Sequence, residues 1–196
     1  MDTVEQGNGT GRLLLDAAPA GLSFVQDLLN SAAMPVAALP DLLGDRDAAS
    51  AWLDASLRTW SEHVGRDAPV ISIGGRDVLP LRELRVVVRS WLASDIEDET
   101  PRPVQAHVWI HNGALAHSAQ GDGAAAVASL VYLETLLAAH SGTLKRLKTC
   151  LNPACGAAFY DQSRNGTRVW HDMKTCGNTM NLRASRARRR DTPQPD

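Results

Sequence analysis

The sequence predicts a mainly α protein: a multihelical N-terminal domain with one small β-hairpin, then a compact C-terminal module that ends in a basic helix. Three observations predict it. Apolar residues recur at helical spacing through most of residues 1–140. Residues 104–110 alternate instead, and the turn pair Asn112 and Gly113 follows them. All three cysteines fall within residues 150–176, and a run of arginines follows.

Residues 1–12 are polar and Gly-rich. No strand precedes Gly7, Gly9 and Gly11, so they form no phosphate loop and read as a flexible tail. Residues 21–31 place Leu22, Val25, Leu28 and Leu29 on one helical face. Residues 40–43 read as a turn into the next helix, 47–64, where Leu53, Leu57, Trp60 and Val64 form the apolar stripe. Asp47 is expected to cap its start and Gly65 to stop it. Pro80 is expected to open a third helix, since a missing N–H costs little in a first turn. Leu81, Leu84, Val88, Trp91 and Leu92 make its apolar face. Arg82, Arg85 and Arg89 make a basic stripe, expected to be solvated and paired with nearby acids rather than to hold nucleic acid.

Residues 96–100 read as an acidic turn, and Pro101 and Pro103 break the chain. The alternating segment sets Val104, Ala106, Val108 and Ile110 against Gln105, His107, Trp109 and His111. His107, His111 and His117 have no carboxylate or cysteine at ligand spacing, and are expected to be half-exposed strand residues. Residues 124–139 form a long Ala/Leu helix that buries Val127, Leu130, Val131, Leu133 and Leu137. Residues 140–143 interrupt it, and a short helical turn at 144–148 leads to Cys150 and braces the module against the body. The expected units are a tail at 1–12, a helical domain at 13–143, the C-terminal module at 144–190 and a disordered tail at 191–196.

The cysteine spacing carries the chemistry. Cys150, Cys155, His171 and Cys176 give C-x4-C-x15-H-x4-C. Pro153 and Gly156 bend the first pair so that two thiolates can face one ion. Two knuckles separated by a dozen or more residues are the usual framework of tetrahedral zinc. A Cys3His set closes the coordination shell and leaves no position for a substrate. His171 and Cys176 lie roughly 140° apart around an ideal helix. His171 is therefore expected in a turn, and Cys176 at or just before the first helical turn.

The residues around these ligands resemble the CGNR-type zinc finger. That family's pattern is met by Cys150, Asn152, Cys155, Phe159, Asp161, Ser163, Arg164, Asn165, Thr167, Arg168, Trp170, Met173, Cys176, Gly177 and Asn178. His171 stands where the family usually has its third cysteine, and Thr179 where it has the arginine that ends its name. The helical part resembles the stress-induced transcription regulator domain (ABATE-type) that usually precedes this finger. Asp27, Asn30 and Ser31 fit that domain's D-x-x-N-[ST] motif. What the resemblance implies is a regulator of genes whose helical domain senses a small ligand or mediates pairing.

Charge points the same way. Residues 1–140 carry 9 Lys and Arg against 18 Asp and Glu, a net of −9, whereas residues 141–196 carry 11 against 4, a net of +7. A basic module on an acidic body fits a polyanion contact at one end; attraction between the two halves is the rival reading. Phe159 and Trp170, with Tyr160, are expected to form the module's small apolar centre. Arg164, Asn165 and Arg168 in the loop can donate to phosphates or bases, or be held internally by Asp161. Asn178 is expected to cap a final helix carrying Arg183, Arg186, Arg188, Arg189 and Arg190.

The expected function is a zinc-dependent, DNA-binding transcription regulator. An RNA-binding module and a zinc-stapled protein adaptor are the alternatives. No enzyme is expected: the chain lacks G-x-S-x-G, H-E-x-x-H and a phosphate loop. No uninterrupted apolar run reaches roughly 18 residues, so no membrane-spanning helix is expected. No secretory signal is read either, and three metal-bound cysteines suit the cytoplasm. Homodimerisation would suit a palindromic site, although no heptad repeat supports it.

Overall fold

The computed structural model describes residues 7–93, 103–111 and 113–191. The expected acidic turn at 96–100, Pro101, Asn112 and the end segments 1–6 and 192–196 lie outside the described residues. The architecture is mainly α. Helices α1 (Leu22–Asn30), α2 (Arg46–Val64) and α3 (Val78–Leu92) precede the hairpin β1 (Ala106–His111) and β2 (Ala114–Ala119). Then come α4 (Gly123–His140), the short strands β3 (Leu147–Thr149) and β4 (Ala158–Tyr160), and α5 (Asn178–Asp191). Both sheets are antiparallel pairs.

Helix α1 is the centre. All nine of its residues are buried, although LSFVQDLLN includes four polar side chains. Phe24, Val25, Leu28 and Leu29 join Trp52, Leu53, Leu57 and Trp60 of α2, Leu81, Leu84 and Val88 of α3, and Val127, Leu130 and Val131 of α4 in one core. Each buried polar group then needs a partner. Asp27 accepts from the Thr10 amide at 2.7 Å, from Trp52 Nε1 at 3.1 Å and from the Ser56 hydroxyl. Burial still pushes the Asp27 carboxyl above its ordinary pKa, opposed by the Ser56 and Thr10 hydrogen bonds.

The expected flexible tail is, from residue 7 onward, part of the body. Gly9 lies so close to α1 that a Cβ would stand 2.5 Å from the Asp27 carbonyl oxygen. Asn8 donates to Thr59 at 2.6 Å, and Arg12 donates to the carbonyls of Pro40, Asn30 and Ala32 at 2.5–2.7 Å. Helix α2 is capped by Asp45, which accepts from Ala48 N at 2.9 Å, and not by Asp47. Gly65 closes it in the left-handed region, as expected. Helix α3 starts at Val78, so Pro80 sits inside the first turn rather than opening it.

The α3 arginines are less solvated than expected: Arg85 is buried and paired with an acid, and Arg82 and Arg89 are half-buried. Arg82 donates to the Leu43 and Gly44 carbonyls, at 2.7 and 2.8 Å. Arg85 pairs with both Asp41 oxygens at 2.8 Å and reaches Ser31 Oγ at 3.0 Å. Arg89 bridges the Leu29 and Gly156 carbonyls, at 2.7 and 2.6 Å. With Arg12, Arg85 and Arg89 gather at the C-terminus of α1, where unpaired carbonyls and the helix dipole favour cations.

In the hairpin, Val108 and Ile110 face solvent, His107 is exposed, and His117 is part-buried against Arg66 and Glu134. Helix α4 is long and apolar enough to cross a membrane by length and composition, which the uninterrupted-run criterion missed; here 44% of its residues are buried, with Val127, Leu130 and Val131 in the body's core. Leu137, expected to be buried, is exposed. After α4 the helical turn is shorter than expected: residues 144–146 form it, and Leu147 and Lys148 enter β3.

The C-terminal module docks on α1. Asn30 Oδ1 accepts from Ala158 N at 2.8 Å, and Asn30 Nδ2 donates to Ala158 O at 2.9 Å. The side-chain amide thus pairs with β4 as a neighbouring strand would. Leu147 and Ala158 belong to the body's core.

Candidate metal centre and basic helix

Two local structures make the centre. The first knuckle folds around Asn152, whose carbonyl accepts from Cys155 N at 2.8 Å and Gly156 N at 3.2 Å. Antiparallel pairing of β3 with β4 then carries Cys150 past Ala157, and Cys150 N donates to Ala157 O at 2.8 Å. The second knuckle begins at Asp172, which accepts from Thr175 N at 2.6 Å and caps the wide turn Met173–Gly177. This turn is a π-turn, and it leads straight into α5. Asn178 is the first residue of α5 and is exposed; Asp172 takes the capping role expected of it. Gly177 sits in a crowded spot, where a Cβ would lie 2.2 Å from Sδ of the exposed Met173 side chain and 3.0 Å from Trp170 Cδ1.

These turns bring Cys150, Cys155, His171 and Cys176 together, with one ligand atom from each and all four atoms within 4.8 Å of one another. Cys155 Sγ stands 3.3 Å from His171 Nδ1. Tetrahedral zinc with Zn–S bonds of about 2.3 Å implies sulfur–sulfur edges of about 3.8 Å, so the donor set fits such an ion. The electrostatics agree. Burial pushes the Cys155 thiol up to about 12, and the neighbouring Cys150 and Cys176 add to the rise against the Ala157 N–H. Three thiolates in this space need a cation. Burial, then Arg168, lowers the His171 pKa against the pull of Asp172, which leaves a neutral imidazole able to coordinate.

Sequence reasoning left the groups that support the ligands without a role. Asn152 is buried and donates Nδ2–H to Cys176 Sγ at 3.3 Å; Ala157 N donates to Cys155 Sγ at 3.5 Å. Such bonds orient thiolates and spread their charge. Asn152 does stand in the matched pattern, which was the available signal. Phe159 packs with Cys150 and Cys176, with Trp170 and Leu15 alongside. Tyr160 packs on the body's core instead.

The loop after β4 is fixed from within. Asp161 is fully buried and accepts from Lys148 Nζ at 2.8 Å, Ser163 Oγ at 2.6 Å, Ser163 N at 3.0 Å and Arg168 N at 2.8 Å. Burial opposes ionisation, but these donors together hold its carboxyl well below the usual range. The expected side-chain pairing of Asp161 with Arg164 or Arg168 is replaced by Lys148. Arg168 instead donates Nη2 to the His171 carbonyl and lies 5.5 Å over the Phe159 ring. Arg164 and Asn165 are exposed at the loop tip.

On α5, Arg183, Arg186 and Arg188 are exposed. Arg189 and Arg190 lie in the same helix, their side chains outside the described residues. Arg183 and Arg186 have no ion-pair partner among the described residues, so neither is tied to the acidic body. Thr179 Oγ1 donates back to the Thr175 carbonyl at 2.6 Å, a bond from α5 to the turn before it. His107 and His117 join no metal-ligand cluster among the described residues.

A search of curated proteins finds no match. Against family models, residues 146–189 match the CGNR zinc finger.

Proposed function

We propose that this protein is a zinc-stapled, DNA-binding transcription regulator. The observation that carries the reading is α5: an exposed helix with arginines at Arg183, Arg186 and Arg188, rooted through the Met173–Gly177 turn in the Cys3His cluster. Bound zinc would supply folding free energy rather than catalysis, since four protein donors leave it no open position. The chain's own residues do the rest. Cys176 anchors the root of α5, Asn152 orients the Cys176 sulfur, and Arg168 ties the loop to the His171 carbonyl. Arg183, Arg186 and Arg188, with Arg189, Arg190 and the loop-tip Arg164 and Asn165, present donors to phosphates. Each phosphate neutralised releases counterions, and a helix of this width fits a major groove. The helical body is assigned the sensing of a small ligand or self-pairing.

Salt-titrated gel shifts of the purified protein with duplex DNA and with structured RNA test this reading. Duplex binding that weakens steeply with salt is expected. Preference for RNA would move the function to an RNA-binding module, and binding to neither would leave a protein adaptor. Elemental analysis should find one zinc per chain, lost in the His171→Ala variant.

A further inference from the structure

Between the end of α2 and the hairpin lies a cavity of about 240 Å³. That is the volume of about eight waters at ~30 Å³ each, room for one or two fused rings. Trp60, Trp109, Pro69 and Leu130 wall it, and Arg66 and His117 stand at its polar side. Trp109 is 44% exposed, so a ring lying against it would bury indole surface now facing water.

The polar side is balanced within itself. Arg66 Nη1 donates to the His117 carbonyl at 3.0 Å, Nη2 lies 3.1 Å from His117 Nε2, and the guanidinium carbon sits 5.4 Å over the Trp60 ring. Behind them Glu134 is almost wholly buried; its Oε1 accepts from Trp60 Nε1 at 2.9 Å and lies 3.8 Å from His117 Nε2. One fixed cation and one buried carboxylate therefore both approach the same ring nitrogen, His117 Nε2. A cationic ligand would meet Arg66. An anionic ligand would meet Asp67 at the rim, with the buried Glu134 carboxylate behind the wall. The charge pattern selects an uncharged guest, and the indole walls select a flat one.

We propose that this cavity binds a small, uncharged, planar aromatic molecule of one or two fused rings, stacked against Trp109. This deepens the sensing role assigned to the body and needs neither the metal nor nucleic acid. Isothermal titration of the full-length protein with three congeners tests it: 1-naphthol, 1-naphthoate and protonated 1-naphthylmethylamine. Naphthol should bind one to one, and each charged congener at least tenfold more weakly. Trp109→Ala should weaken naphthol at least tenfold with an unchanged far-ultraviolet spectrum, and Ala116→Phe, which fills the cavity, should abolish binding. Absence of naphthol binding, equal binding by both variants, or tighter binding of a charged congener would overturn the proposal. Gel shifts on the same preparations keep the two readings apart. Duplex binding without naphthol binding sinks only the cavity, and naphthol binding without duplex binding sinks only the regulator.

Discussion

Asn30 commits both ends of its amide to one residue of another module, closing Ala158 N–H and C=O at 2.8 and 2.9 Å in a buried setting. Removing it takes the side-chain acceptor from the Ala158 N–H, at about 1–3 kcal/mol, while the Ala158 carbonyl keeps a longer bond from Gln26 Nε2 at 3.3 Å. Asn30→Ala should lose about 1–3 kcal/mol in urea unfolding, far more than an exposed substitution such as Asn165→Ala. Asn152→Ala should keep all four ligands yet lower zinc affinity about tenfold, as for other groups that hold ligands in place; competition with a chromophoric chelator measures it. Asp161 gives a pH signature. Its folded pKa is depressed, so its contribution is complete above the ordinary carboxyl value and is lost as pH falls through the folded value. Asp161→Asn should be less stable than the parent from neutral pH down to about pH 4, and the gap should close in more acidic solution. The residue types were readable from sequence; their partners were not. The sequence shows Asn30 and Ser31 next to an apolar stripe, and nothing in it names a residue 128 positions away.

At the scale of elements, α3 and α5 carry similar arginine patterns in opposite surroundings. The α3 arginines satisfy carbonyls and a carboxylate, whereas Arg183 and Arg186 of α5 stand free of ion pairs among the described residues. Spacing alone could not separate them, because the difference lies in what stands opposite: the C-terminus of α1 in one case, solvent in the other. The double variant Arg183→Glu/Arg186→Glu should cut the slope of log affinity for duplex DNA against log salt by about 2. Its melting temperature should barely move, since neither side chain is buried. Helix ends were legible to within a few residues. Gly65 was identified because a left-handed stop favours glycine, but Asp45 and Asp172 could not be told from their neighbours Asp47 and Asn178 as caps.

Over the whole molecule, the metal module keeps a small apolar cluster of its own yet is tied into the body's core. Leu147 and Ala158 pack with α1–α4, and Arg89 and Asn30 reach across. Metal removal should therefore unsettle more than the finger. Chelation at neutral pH is expected to lower the melting temperature of the entire chain in one cooperative transition, followed together by far-ultraviolet circular dichroism and tryptophan fluorescence. Two separate transitions, with the body unmoved, would show that the module merely hangs from it. The charge asymmetry acts at this scale too. An acidic body repels a polyanion and leaves the basic end as the surface that can approach it.

The sequence by itself determined the helical class, the hairpin position, the four-ligand spacing and the polarity of charge. Each is written in neighbouring residues, as a period, a turn pair, a knuckle or a run. Only the tertiary structure decided which arginines are structural, that residues 7–12 are packed rather than free, and that the finger leans on the end of α1. Those facts depend on unpaired carbonyls and buried amides meeting across distant parts of the chain, and local spacing holds no record of such meetings.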